Sequence, residues 1–89
     1  MSGNARVKIT FPCRWEFRLI ALSETLEATR QAVTAIDGRE HAGFDIAPGE
    51  TSGGGRFTAL RVSCMVDSAE RARELAALLA QAEGVRFIF

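Results

Sequence analysis

The sequence predicts an α+β domain of ferredoxin-like (split βαβ) topology. Three observations carry that prediction. Residues 15–21 and 56–66 alternate apolar and polar side chains with period two, as half-buried strands do. Two segments, one after Ser23 and one after Asp67, repeat apolar residues at spacings of three and four. A run ending Gly53-Gly54-Gly55 separates two strand-like stretches and reads as a hairpin connection.

The elements follow in order. In 15–21, Trp15, Phe17, Leu19 and Ala21 share one face, and Glu16, Arg18 and Ile20 the other. Ser23 is placed to cap a helix, with Glu24 and Glu27 near its positive end. Leu22, Leu26, Thr29, Val33 and Ile36 form its apolar stripe, and Gly38 is the expected left-handed terminator. A second strand over 41–47 carries Ala42, Phe44 and Ile46 on one side and is interrupted by Pro48-Gly49. The third strand, 56–66, sets Leu60, Val62, Cys64 and Val66 against Phe57, Ala59, Arg61, Ser63 and Met65. Asp67 followed by Glu70 resembles a capping box. The helix after it, to Ala82, has Ala72, Leu75, Ala76 and Leu79 as its stripe. Gly84 stops it, and 85–89 alternates again, with Val85, Phe87 and Phe89 on one side. Right-handed crossovers then give a four-stranded antiparallel sheet in the spatial order fourth, first, third, second, with both helices on one face.

Eighty-nine residues suit one domain, assigned to 9–89, after an N-terminal arm at 1–8 that is flexible at its start. Within 6–11, Val7, Ile9 and Phe11 alternate with Arg6, Lys8 and Thr10, as in a short strand or an extended arm. Eleven basic and eleven acidic residues cancel, which argues against nucleic acid or an anionic membrane as the main partner. No apolar run is long enough to span a bilayer. Two distant cysteines do not form a disulfide framework, and a reducing cytoplasm is the expected compartment.

No arrangement of residues announces catalysis. His41 is the single histidine and has only Glu40 beside it, on the opposite side of an extended chain. Cys64 falls on the covered face, and Cys13 has Arg14 as its one basic neighbour. No metal site or cofactor is expected from so few ligating side chains. The glycines at 53–55 are able to cradle an anion, but a phosphate loop requires a helix next, whereas a strand follows here. Phe57 is the one aromatic expected on the free face, fewer than RNA stacking uses.

That free face is the natural place for a working surface. It is expected to show Glu16, Arg18, Ile20, Asp45, Phe57, Ala59, Arg61, Ser63, Met65, Arg86 and Ile88. Arg18, Phe57, Arg61, Met65 and Arg86 are the candidate partner-binding residues, because Arg, Met and aromatic side chains are enriched where proteins meet. The bland alternative is a solvated sheet with cross-strand ion pairs.

The run Phe11-Pro12-Cys13, leading through Trp15-Glu16-Phe17-Arg18-Leu19-Ile20, resembles the opening of the YbeD-like family of small bacterial proteins. Ser52 to Val62 resembles that family's hairpin and third strand. Asp67-Ser68-Ala69-Glu70 and the closing Gly84-Val85-Arg86-Phe87-Ile88-Phe89 match its second half. The resemblance covers roughly residues 9–89. It implies a fold similar to the regulatory ACT domain, and with it a non-enzymatic regulatory or interaction module acting through a protein partner or by self-association. The alternative it implies is a sensor of an amino acid or small carboxylate at the turn after strand one, over Ala21, Leu22, Ser23 and Glu24. The family usually has glycine where this chain has Ala21, so the Ala21 Cβ is expected to crowd a ligand there.

Overall fold

The computed structural model describes residues 9–89. The chain runs β1 (Cys13–Leu22), a 3-10 turn (Ser23–Thr25), α1 (Leu26–Glu40), β2 (Asp45–Ser52), β3 (Phe57–Val66), α2 (Ala69–Ala80) and β4 (Val85–Ile88). The sheet order is β2-β3-β1-β4, with antiparallel neighbours throughout. This is the ferredoxin-like arrangement that the sequence predicts. The arm at 1–8, and with it half of the alternation at 6–11, lies outside the described residues.

The core forms where the odd-numbered residues of β1 and the even-numbered residues of β3 meet the helices. Phe17, Leu19, Leu60, Val62, Cys64 and Val66 pack with Val33 and Ile36 of α1 and Ala72, Leu75 and Leu79 of α2. Each Leu or Val removed from water in this way contributes about 1.5–3 kcal/mol before the entropy of ordering it. Among the described residues no helix covers the opposite face of the sheet.

Several local expectations give way to tertiary context. Ser23 does not cap a helix. Its hydroxyl lies 2.6 Å from that of Thr58, and its N–H donates to the carbonyl of Arg56 at 2.8 Å. Gly38 lies inside α1, and His41 supplies the left-handed residue at the helix end, with φ +53°. Asp37 holds that end against β2 by accepting hydrogen bonds from the N–H groups of Gly43 (2.7 Å) and Phe44 (3.1 Å). The α2 cap is Ser68, whose hydroxyl accepts from the N–H of Arg71 at 3.0 Å, so the cap lies one residue beyond Asp67.

Two bulges change the expected registers. β2 continues through Pro48 and Gly49, with one extra residue between Pro48 and Thr51. An edge strand tolerates proline because its outward N–H needs no partner. In β4 the register shifts opposite Ile20 and Ala21. An inserted residue turns the rest of a strand over. Ile88 therefore sits opposite Leu19 and packs against the core, while Phe87 sits opposite Ile20 on the open face. This reverses the expected placement of both residues.

Candidate functional site: the open sheet face and the turn beside it

Pairing across the strands sorts the open face into rows. Leu22 lies opposite Phe57, which lies opposite Ser52. Phe87, Ile20 and Ala59 form the next row. Arg18, Arg61 and Ala47 form the third, with Phe89 on the other side of Arg18. Phe89 exchanges both backbone hydrogen bonds with Arg18, at 3.0 and 2.9 Å, and so shares its face. Glu16, Ser63 and Asp45 make the fourth row, and Arg14 and Met65 the last.

Charges on this face are unevenly satisfied. Arg14 reaches diagonally over the sheet to pair with Asp45, and also donates to the Ser63 hydroxyl at 3.1 Å. Arg18 and Arg61 stand directly opposite each other, and neither forms an ion pair among the described residues. Like charges in directly opposed positions destabilise a sheet by about 0.2–1 kcal/mol. Local conflicts of this kind concentrate where a surface has work to do. The pair lines a groove of about 390 Å³ together with Glu16, Glu50 and Gly49. Gly49 is required there by close approach. A Cβ on it would fall 2.7 Å from the Ala59 Cβ, and the bulge in β2 could not settle against β3.

Apolar groups share the face with the groove. Met65, Phe87 and Phe89 are 55%, 59% and 75% exposed, and Ile20 and Phe57 are half-buried. Of the five expected partner-binding residues, Arg18, Phe57, Arg61 and Met65 share the open face in β1 and β3. Arg86 does not join their register. It is the extra residue of the β4 bulge and lies opposite no residue of β1, although it is exposed. Phe87 and Phe89 take the positions the sequence assigned to Arg86 and Ile88. A single residue of bulge separates the two registers, and no motif in 85–89 marks it.

The turn after β1 forms a second depression, of about 320 Å³, lined by Leu22, Ser23, Glu24, Gly54, Gly55 and Arg56. Two features that are far apart in sequence meet here, because the antiparallel β1–β3 pairing sets the end of one strand beside the start of the other. The glycines at 53, 54 and 55 all have positive φ (63°, 68° and 91°), as a tight connection needs. The Arg56 guanidinium lies over the Phe57 ring, 5.6 Å from its centre. Ala21 does not line this depression. It is fully buried opposite Thr58 and Val85, so its Cβ points into the core and does not crowd a ligand in the turn.

Elsewhere, His41 and Asp67 border a shallow depression of about 200 Å³ with Pro12 and Arg71, and Cys13 does not line it. Among the described residues no cluster of His, Cys, Asp or Glu is arranged to hold a metal ion. No helix among them is long and apolar enough to cross a membrane. Burial pushes the Cys64 thiol above its ordinary range.

Known proteins place this architecture. A solution structure of HP0495 from Helicobacter pylori superimposes with a TM-score of 0.74 at 19% identity, covering 96% of this chain and 89% of that one. A second solution structure of HP0495 gives 0.66 at 19% identity over 99% and 98% of the two chains. The C-terminal domain of the MgtC protein from Mycobacterium tuberculosis gives 0.65 at 18% identity, covering 93% and 89%. At these identities the likeness is one of fold. No curated protein matches the chain. Residues 7–89 match the family described as "Protein of unknown function (DUF493)", and the chain belongs to that family.

Proposed function

We propose that this protein is a non-enzymatic interaction module, YbeD-like and ACT-like in character and working in the bacterial cytoplasm. Its open sheet face engages a protein partner. The observation that carries this reading is the opposed Arg18 and Arg61, which form no ion pair among the described residues, in a groove on the face that also exposes Phe87, Phe89 and Met65. Two arginines in directly opposed strand positions suit a carboxylate, which each can bind through a two-pronged hydrogen bond. Apolar side chains around such a centre match the composition of protein interfaces. The partner chemistry that fits is an acidic side chain set among apolar ones.

Arg61→Glu tests the proposal. The new carboxylate would face Arg18, replacing repulsion with a cross-strand ion pair, so stability should hold or rise by up to about 1 kcal/mol. Binding should be lost. In amide spectra of the labelled chain, a clarified bacterial lysate should broaden Arg18, Phe57, Arg61 and Phe87 in the wild type and leave the variant unchanged. Equal broadening in both would refute the reading.

The depression beside the turn supports a second reading, a sensor of small amino acids. Glu24 and Arg56 contribute opposite charges to one depression, as a zwitterion requires. Amino acids added singly would then shift Leu22, Ser23, Glu24 and Gly54–Arg56 without touching the sheet face. No shift at millimolar ligand would remove this reading.

A further inference from the structure

The outer edge of β1 is only half covered. β1 has ten residues and β4 four, and their pairing covers Ala21, Ile20 and Leu19 and closes with Phe89 bonded to Arg18. Residues 13–17 therefore have β3 on one side and, among the described residues, no strand on the other. Arg18 directs its N–H and C=O toward β4. Backbone direction alternates along a strand, so Glu16 and Arg14 direct theirs the same way, with no described backbone partner. An exposed edge of this kind is a template for a further strand.

We infer that this edge pairs with the same edge of a second copy of the chain, joining two sheets into one of eight strands. Charge and hydrogen-bond direction together select a single register. Only Arg14 and Glu16 offer outward backbone groups, so in an antiparallel pair one of them must lie opposite one of them. Placing Arg14 opposite Arg14, or Glu16 opposite Glu16, sets like charges face to face. Placing Arg14 opposite the second copy's Glu16 makes two opposite-charge pairs and completes the backbone bonds of all four residues. It also places the two-fold axis at Trp15, so that the two Trp15 side chains meet on the helix side.

Three features fit that register. The strand begins at Cys13, directly after Pro12, so the chain leaves the sheet before reaching the other copy's Phe89. Beside the edge, between β1 and α2, lies a cavity of about 250 Å³ bordered by Trp15, Phe17, Ala72, Ala76 and Ile88, able to receive apolar side chains from the second copy. The Arg14–Asp45 pair is open to solvent, with side-chain exposures of 53% and 72%, and such pairs are too weak to hold Arg14 away from a second carboxylate. A five-residue edge is small for an interface, so the dimer should be weak and form over the micromolar to millimolar range.

The test is a charge exchange followed by sedimentation, from about 10 μM to about 1 mM protein. The wild-type chain should pass from monomer to dimer. Arg14→Glu and Glu16→Arg each create two like-charge pairs, and each should weaken the dimer about tenfold or more. Mixed in equal amounts, the two variants regain opposite charges in both pairs, and the mixture should dimerise again. Arg61→Glu should dimerise as the wild type does, which separates this edge from the sheet-face reading. Amides of Arg14 and Glu16 should gain protection from exchange as concentration rises. A monomeric wild type at 1 mM, a mixture that stays monomeric, or amides protected equally at every concentration (another segment of the same chain filling the edge) would each overturn the inference.

Discussion

Gly84→Ala should be among the most damaging single-methyl changes in this protein. Gly84 joins α2 to β4 with φ +85°, a conformation that costs an L-residue about 1–2 kcal/mol. It also lies against α1. An added Cβ would fall 2.5 Å from the Thr29 hydroxyl oxygen and 2.7 Å from that of Thr25. Thr29 is fully buried, and its hydroxyl donates to the carbonyls of Thr25 and Glu83. A β-branched side chain in a helix has few other rotamers, so it cannot turn aside cheaply. Overpacking of this kind costs about 1–3 kcal/mol. Together the two effects predict a loss of about 2–5 kcal/mol, a large part of the 5–15 kcal/mol available to a small domain. Urea unfolding reads this directly: with a slope of about 1–2 kcal/mol per molar, the midpoint should fall by roughly 2 M. Gly38→Ala is the internal comparison. Nothing lies within 4 Å of a Cβ there, and the position is helical. The same methyl should raise stability by about 0.5–1 kcal/mol. If the two substitutions moved the midpoint by similar amounts in the same direction, the packing argument for Gly84 would fail.

Two further predictions concern side chains that join elements. Arg71 links the start of α2 to the end of α1, donating to the Glu40 carboxylate at 2.9 Å and the Glu40 carbonyl at 3.0 Å, and its charge is held firmly by that carboxylate. Arg71→Ala should cost about 1–3 kcal/mol in thermal or urea unfolding, and Arg71→Lys should recover only part of it because the forked geometry is lost. Cys64 gives a pH dependence: burial raises its thiol above the ordinary 9.0, so the unfolded chain ionises first as pH rises. Its contribution is then fully present below pH 9.0 and lost progressively as pH climbs from there toward the folded value. The chain has no tyrosine to titrate in the same window, so urea midpoints measured between neutral and alkaline pH should fall less steeply in Cys64→Ala.

Much of the open face is legible in β1 and β3. Their period-two alternation runs unbroken, so Arg18, Phe57, Arg61 and Met65 can be assigned to one face by counting. Counting fails in β4, where one extra residue turns Phe87 outward and Ile88 inward. It holds at Ala21, where alternation places the side chain with Leu19 in the core; what does not hold is the expectation, drawn from the family resemblance, that its Cβ crowds a ligand in the turn. Gly38 and His41 show the same limit in a helix. Glycine is the better terminator by propensity, but the bonds from Gly43 and Phe44 to Asp37 continue the helix past Gly38 and leave His41 to take the left-handed turn.

By itself the sequence determined the fold class, the order of the elements and the core faces of β1, β3, α1 and α2. Those follow from local periodicity, which acts along the chain and is written in it. Tertiary packing sets Arg18 against Arg61, brings the turn after β1 to the glycine hairpin, and leaves residues 13–17 with no described strand on their outer side. These are relations between strands. They depend on register, bulges and where a neighbouring strand stops, and each is set by packing among distant residues.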